Sequence, residues 1–261
     1  MVGSLPGGSP RSFASTAEAA VVQARVDLAG NLARLTDQIG QAALSVGRRP
    51  DEVTLVGVSK TQPAQLVAQA IQAGLRHVGE NRVQEAADKL PAVRELLTHD
   101  PAPRTQAPIV HMVGHLQSNK AASAVALFDR VDSVDSLHLA QALSRRVSGD
   151  AILPVLLEVY VGDDPHRPGV RPDQLLDTVA QIVDLPGLRI EGLMTVAPLN
   201  GDARDAFRQV RLLKQKLAET FPRIYFGVLS MGMSEDYVLA VEEGSTEVRV
   251  GTALFGPRNP R

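Results

Sequence analysis

The strongest constraint on the fold is an alternation of short apolar segments and amphipathic segments, which starts at Thr54 and runs almost to the end of the chain. Eight segments are rich in β-branched and apolar residues, as buried strands are, and they cover 54–59, 77–79, 109–114, 130–134, 154–161, 189–195, 225–230 and 247–255. Seven segments between them have helical periodicity, and these cover 63–73, 82–97, 119–127, 136–147, 172–183, 203–220 and 234–241. Eight such β/α steps predict an α/β fold, a single closed parallel (β/α)8 TIM barrel, although the same alternation also allows an open doubly wound sheet.

A long amphipathic segment precedes the first strand. Ser15 and Glu18 have the spacing of a capping box, and Gly47 supplies a helix stop, so residues 15–46 are predicted to form one extra N-terminal helix. Its apolar stripe would comprise Val22, Ala29, Leu32, Ile39, Ala42 and Val46. Residues 1–14, rich in Gly, Ser and Pro, are predicted to be a disordered tail, which leaves 15–261 as a single barrel domain.

Composition excludes several classes of function. The 261 residues carry 27 basic and 29 acidic side chains, and aromatic residues make up only 3%, so neither bulk charge nor base stacking indicates a nucleic-acid partner. No apolar run has membrane-spanning length, and the first residues lack the apolar segment of a signal peptide. Cysteine is absent, which removes disulfides and thiolate chemistry. We expect a soluble cytoplasmic protein with neither a nucleic-acid nor a membrane partner.

A lysine follows the first predicted strand. Lys60 emerges from the apolar run 54–59, where partial burial would favour an uncharged amine suited to Schiff-base chemistry. The chain has four other lysines, all predicted to face water: Lys89, Lys120, Lys214 and Lys216. By position alone, a strand-end lysine more often extends into solvent, so a role for Lys60 requires further signals.

Two glycine-containing turns supply those signals. In a β/α barrel the reactive groups lie at the carboxyl ends of the strands, and phosphate commonly binds after the seventh and eighth. The seventh predicted strand ends at Ser230 and leads through Gly232 to Ser234, a natural N-cap whose helix would present N–H groups to an anion. The eighth carries Gly251 and Thr252. Two anion-binding turns opposite an amine imply a phosphate ligand that bears an aldehyde, a description that pyridoxal 5′-phosphate fits.

Six short motifs, in order along the chain, resemble those of the pyridoxal phosphate homeostasis proteins. They are VSKT at 58–61, GENRVQE at 79–85, HMVGHLQSNK at 111–120, GLM at 192–194, SMGMS at 230–234 and VRVGTALFG at 248–256. The resemblance extends from roughly the first helix to Gly256 and implies a lone barrel of the alanine racemase type. Two places depart from the family pattern: Glu158-Val159-Tyr160, and the loop 164–169, which lacks a lysine before its glycine.

The resemblance also implies roles for individual residues. Lys60 would hold the cofactor as a Schiff base, Asn81 would line its ring, and Arg249 would face the pyridine nitrogen. The segment that contains Met194 would pack close to the cofactor. The phosphate would be contacted by Ser230, Ser234, Gly251 and Thr252.

The expected function is that of a carrier or reservoir of pyridoxal 5′-phosphate, acting in intracellular homeostasis of the cofactor. A guanidinium at Arg249 disfavours a proton on the pyridine nitrogen, so the ring would stabilise a substrate carbanion poorly. Related racemases supply a second base, a tyrosine, from a further domain, and Tyr160, Tyr225 and Tyr237 are not clearly placed opposite Lys60. We therefore expect weak racemase-type activity at most, and partners that include pyridoxal phosphate-dependent apoenzymes.

Two other functions remain open at this stage. The same cofactor could serve an amino-acid racemase or decarboxylase, or the barrel could bind a sugar phosphate, with Lys60 attacking the substrate. A metal site is not expected, because His111 and His115 lie on a strand and the following turn, without an acidic residue at metalloprotease spacing.

Overall fold

The computed structural model describes residues 26–98, 107–198 and 200–257, and it forms a closed barrel of eight parallel strands in sequence order. The strands are β1 (Thr54–Val58), β2 (His77–Glu80), β3 (Ile109–Met112), β4 (Arg130–Val134), β5 (Leu153–Glu158), β6 (Leu188–Met194), β7 (Val228–Ser230) and β8 (Glu247–Val250). Closure is direct, because β1 pairs in parallel with β8 from Thr54 opposite Glu247 to Gly57 opposite Val250. The predicted barrel is confirmed, and the open sheet is excluded.

Helices alternate with these strands. They are α1 (Leu28–Ser45), α2 (Ala64–Gln72), α3 (Val83–Thr98), α4 (Ala121–Leu127), α5 (Leu137–Ser144), α6 (Leu175–Ile182), α7 (Ala203–Thr220), α8 (Tyr237–Glu242) and α9 (Thr252–Phe255). Short 3-10 turns at Pro50–Glu52 and Ser118–Lys120 precede β1 and α4. Helix α7 contributes the buried apolar side chains of Phe207, Val210 and Leu217 to the core. This arrangement covers the outer face of the parallel strands.

The N-terminal helix is present, but the described residues 26 and 27 are not helical, contrary to the predicted range 15–46. Helix α1 begins at Leu28 because Asp27 caps it, accepting a hydrogen bond from the Gly30 backbone N–H at 2.9 Å. Its buried face passes through Leu28, Leu35 and Ile39, so the predicted stripe, which included the exposed Ala29, was partly wrong. Helix α1 packs against α8, α9 and α2. The predicted tail at residues 1–14 and the capping box lie outside the described residues.

Three predicted boundaries around the seventh and eighth strands were wrong. The eighth strand ends at Val250, and the apolar run that follows it is the helix α9, since a short apolar run fits either state. Strand β7 begins at Val228 rather than at residue 225. Helix α8 begins at Tyr237 with Asp236 as its N-cap residue, so Ser234 lies in the preceding turn and does not cap it.

The inside of the barrel is polar at its amino-terminal end. On β4, Arg130 and Asp132 are both buried, and the Arg130 guanidinium bonds Asp132 at 2.6 Å and also Glu247 on β8. Asp132 lies 3.1 Å from Nδ1 of His111, whose Nε2 lies 2.9 Å from Nδ1 of His77. The near-continuous apolar character expected of the strands therefore does not hold here. Across the described ranges, every helix is too short or too polar to traverse a lipid bilayer.

Candidate functional site

A cavity of about 540 Å³ opens at the carboxyl ends of the strands, within the size range of small-molecule sites. Its wall is formed by residues at the carboxyl ends of the strands and in the segments that follow them, including Val58, Lys60, Asn81, Gly114, His115, Glu158, Val196, Ser234, Arg249, Gly251 and Thr252. The position matches the rule that β/α barrels place their functional groups at this face.

Lys60 lies two residues beyond β1 and lines this cavity with its side chain half-buried. Strand β1 lies between β2 and β8, which places Lys60 beside Asn81 on one side and beside Gly251 and Thr252 on the other. A turn forms at once, because the Gln62 N–H donates to the Ser59 carbonyl at 3.0 Å. Lys60 is therefore half-buried in the cavity wall rather than fully extended into solvent.

The two predicted anion-binding turns meet at the cavity. The Ala253 N–H donates to the Ser234 hydroxyl oxygen at 3.4 Å, which joins the turn after β7 to the start of α9. The N–H groups of Gly251 and Thr252 have no acceptor within the described ranges, as expected for the first donors of a helix. A Cβ on Gly251 would lie 3.3 Å from the Val58 carbonyl oxygen, so glycine allows the backbone of this turn to come close to β1.

Arg249 forms the inner wall of the cavity. It is buried, and its guanidinium donates to the Ser230 carbonyl and hydroxyl oxygens at 2.8 Å each and to the Thr195 carbonyl at 2.7 Å. Burial lowers the pKa of Arg249 from its usual value, while the carboxylates of Glu247, Asp132 and Glu158 oppose that shift. Three fixed acceptors give the guanidinium a defined orientation.

Six of the eight residues predicted to bind a cofactor line the cavity, namely Lys60, Asn81, Ser234, Arg249, Gly251 and Thr252. The structure does not bring the other two into its wall. Ser230 is fully buried, with its hydroxyl accepting from Arg249. Met194 is buried at the end of β6. The roles of all eight toward a cofactor remain predictions.

An acidic group on the cavity wall was missing from the predicted site. Glu158 ends β5 and lines the cavity, and burial raises the pKa of its carboxyl, with the neighbouring Asp135 adding to the shift. Arg249, His115 and Arg167 act in the opposite direction. On the same side, His115 Nδ1 lies 3.0 Å from an Asp135 carboxylate oxygen. The only signal in the sequence was that Glu158 departs from the family pattern.

The prediction that Lys89 faces water was wrong. Its ammonium is buried and donates to the Ser59 carbonyl at 2.7 Å and to Glu80 and Glu85 at 2.9 Å each. Burial raises the pKa of the Glu80 carboxyl, and Lys89 opposes that effect. Lys214 was also misplaced, since it is half-buried and burial lowers its pKa. Lys120 and Lys216 are exposed, as predicted.

A second polar cluster lies at the opposite end of the barrel. Potential ligand atoms of His111, Asp132 and Glu247 lie within 4.8 Å of one another, a separation that a metal ion could bridge. However, Arg130 bonds both carboxylates and balances their charge. His115 belongs to the cavity wall instead, so the two histidines do not converge on one site.

Comparisons with known proteins agree with this architecture. The family model described as alanine racemase, N-terminal domain, matches residues 31–259. The pyridoxal phosphate homeostasis protein of Escherichia coli is 38% identical over 237 residues, which is 89% of this chain and 97% of that protein. The protein of the same name from Vibrio cholerae is 39% identical over 233 residues, or 88% of this chain and 95% of that one.

Solved structures with the same barrel fold are also similar to this chain. PipY of Synechococcus elongatus, solved with PLP bound, is 38% identical with a TM-score of 0.76, and the match covers 88% of this chain and all of that one. An alanine racemase of Clostridium difficile shares the fold alone, at 14% identity and a TM-score of 0.65 over 90% of this chain and 57% of that one. By its sequence and its barrel, the chain belongs to the pyridoxal phosphate homeostasis protein family.

Proposed function

We propose that this protein binds pyridoxal 5′-phosphate in the carboxyl-end cavity, attached covalently at Lys60, and serves cofactor homeostasis as a carrier or reservoir. One observation carries the proposal: Lys60 lines the same cavity as Gly251 and Thr252, whose N–H groups have no acceptor within the described ranges. A lysine could bind the aldehyde of a ligand, and the neighbouring backbone N–H donors could bind its phosphate. The PLP bound to PipY supports the choice of ligand.

The residues of the cavity fit this cofactor group by group. An uncharged lysine amine can condense with an aldehyde and release water. The N–H groups of Gly251 and Thr252, with the Ser234 hydroxyl nearby, form a cradle for an anion at the start of α9. Arg249 lines the same cavity, where it would face the ring of the cofactor. Asn81, beside Lys60, would line the ring edge.

We further propose that the protein has no robust catalytic activity of its own. When bound, pyridoxal phosphate supplies an electron-withdrawing ring, and it does so most strongly with a protonated pyridine nitrogen. The Arg249 guanidinium disfavours that proton by repulsion. None of the three tyrosines lines the cavity: Tyr160 lies beneath the Arg171 guanidinium, Tyr237 donates to Gln38, and Tyr225 is 87% exposed.

Borohydride reduction followed by mass spectrometry tests the attachment. The cofactor-loaded protein should show a visible absorption band, and reduction should leave a stable pyridoxyl phosphate adduct on the peptide that contains Lys60. Lys60→Ala should abolish both signals, whereas Lys120→Ala, at an exposed lysine, should preserve them. A protein that takes up no cofactor, or an adduct elsewhere, would refute the proposal.

An amino-acid racemase or decarboxylase is the second candidate, favoured by Glu158 and His115 on the cavity wall, with Asp135 paired to His115. These groups could move protons near a bound substrate. Incubation of the loaded protein with L-amino acids, followed by chiral chromatography, separates the two functions. Steady turnover that is lost in Lys60→Ala would establish the enzyme.

Delivery to pyridoxal phosphate-dependent apoenzymes is part of the proposed role. When the cofactor-loaded protein is mixed with such an apoenzyme, the activity of the apoenzyme should be restored at a certain rate. That rate should exceed the rate at which the loaded protein releases free cofactor, measured with a scavenger of the cofactor in solution. Restoration at the rate of free release would remove direct delivery from the proposal and leave the reservoir role.

A further inference from the structure

A buried ion triad lies directly beneath the lysine of the cavity. It consists of Glu80, at the end of β2, and of Glu85 and Lys89, one turn apart on α3. The Lys89 ammonium bridges Oε1 of both carboxylates at 2.9 Å. The side chain of Glu80 is fully buried, and those of Lys89 and Glu85 are 7% and 21% exposed. Charges so far from water persist only when they are paired.

The triad bonds the residues on both sides of Lys60. On the amino-terminal side, the Ser59 hydroxyl donates to Glu80 at 2.5 Å, and the Ser59 carbonyl accepts from Lys89 at 2.7 Å. On the carboxyl-terminal side, the Thr61 N–H donates to Glu85 at 2.5 Å. Both peptide units that flank Lys60 are therefore anchored to the same three charges.

The anchored segment is strained. Thr61 has a φ of +64° and is the only residue other than glycine with a positive φ in the described ranges. A β-branched residue adopts this region at an energetic cost, and such conformations persist only where the surroundings enforce them. The charge-assisted bond from the Thr61 N–H to Glu85 supplies that enforcement. A triad that served only to dock α3 would have no need to bond these peptides.

We propose that Lys89, Glu80 and Glu85 are positioning residues that hold the backbone of Lys60 so that its amine faces the cavity before the cofactor arrives. This inference rests on the proposed function, because it concerns how the lysine receives pyridoxal phosphate. A segment fixed in advance loses little conformational freedom on binding, whereas a released one must be ordered at that moment, which weakens affinity.

Glu85 offers the sharpest test, because it is the most exposed member and its removal leaves the Lys89–Glu80 pair intact. Pyridoxal phosphate is titrated into cofactor-free Glu85→Ala, and Kd is read from the visible band. We expect Kd to rise about tenfold and attachment to slow, as for one lost charge-assisted hydrogen bond. Glu85→Gln, whose amide oxygen still accepts from Thr61 N–H, should recover part of the affinity. Asp88→Asn, on the exposed side of the same helix, should match the unmodified protein.

Melting of the cofactor-free variants separates positioning from stability. A merely structural triad would lower Tm in Glu85→Ala and leave Kd and the attachment rate unchanged, and that result would overturn the inference. A Kd within twofold of that of the unmodified protein would do the same. If instead the unmodified protein forms no adduct at Lys60, the proposed function itself fails, so the two failures are distinguishable. Lys89→Met, where it folds, should weaken binding more than Glu85→Ala.

Discussion

The guanidinium of Arg249 donates to both the carbonyl oxygen and the hydroxyl oxygen of Ser230, at 2.8 Å each. This relationship fixes the cation at the inner wall of the cavity by bonds to neutral groups. No carboxylate within the described ranges lies within ion-pair distance of Arg249. The carboxylates of Glu247, Asp132 and Glu158 act on its charge from a greater distance. The same bonds occupy Ser230, which explains why that hydroxyl does not reach the cavity wall.

The first prediction concerns the stability that these bonds provide. Arg249→Met should lower the free energy of unfolding by about 1–3 kcal/mol, because the buried Thr195 carbonyl would lose the guanidinium donor. The Ser230 carbonyl would keep its hydrogen bond from the Thr195 N–H. Chemical denaturation of the cofactor-free protein measures the change. Arg145→Met, at an exposed arginine, should change it by less than about 0.5 kcal/mol. Equal effects for the two variants would contradict the assignment.

The amino-terminal cluster gives the second prediction. Arg130→Met would leave Asp132 and Glu247 buried without their cation, and breaking a buried ion pair in this way costs about 3–5 kcal/mol. The matched control is Arg189→Met, since Arg189 pairs with Glu191 at 2.7 Å but is 58% exposed, and exposed pairs contribute about 0–1 kcal/mol. Urea unfolding of both variants should show this contrast, and similar losses in the two would argue against a buried cluster.

Much of the fold could be predicted from the sequence because its signals are local. Strand β4 was predicted at its observed bounds, Arg130–Val134, from a short segment with its own turn signals. The placement of Lys60 and Gly251 in one cavity follows from the rule for the carboxyl ends of barrel strands, once the strands are known. Closure of the barrel then brings residues nearly 200 positions apart together.

The errors arose where partners distant in sequence decide the environment. Periodicity assigned Lys89 to a polar helix face. Its partners are Ser59, just after β1, and Glu80, at the end of β2, and no pattern within α3 contains them. The phosphate contact of Ser230 stays a prediction, but the sequence did not indicate that Arg249, on the neighbouring strand, bonds its hydroxyl. Local sequence predicts which residues end a strand, but it does not predict which of them bond one another.

The third prediction is a pH dependence at His77. Burial, aided by His111 and Arg130, lowers the pKa of His77 from 6.5 to about 4. Between pH 4 and pH 6.5, His77 is protonated in the unfolded chain but neutral in the folded chain. The stability associated with neutral His77 is therefore present above pH 6.5 and is lost as the pH falls toward 4. Denaturation curves measured between pH 4 and pH 7 should show this slope, and NMR titration should place the midpoint near 4. His77→Asn should flatten the slope, and an unchanged slope would assign it to other groups.

The last prediction concerns Glu158, whose carboxyl has a raised pKa, chiefly because it is buried and secondly because Asp135 is near. A group that holds its proton more firmly in the folded state stabilises the protein below the unfolded pKa, and this contribution is lost as the pH rises through the folded pKa. Glu158→Gln removes the buried charge at nearly constant volume, so it should stabilise the cofactor-free protein at pH 8 by less than about 2 kcal/mol and have little effect at pH 4. Thermal unfolding at the two pH values measures this. A loss of stability at pH 8 would mean that the ionised carboxylate is favourably paired with Arg249 or Arg167, the cations that act against the shift.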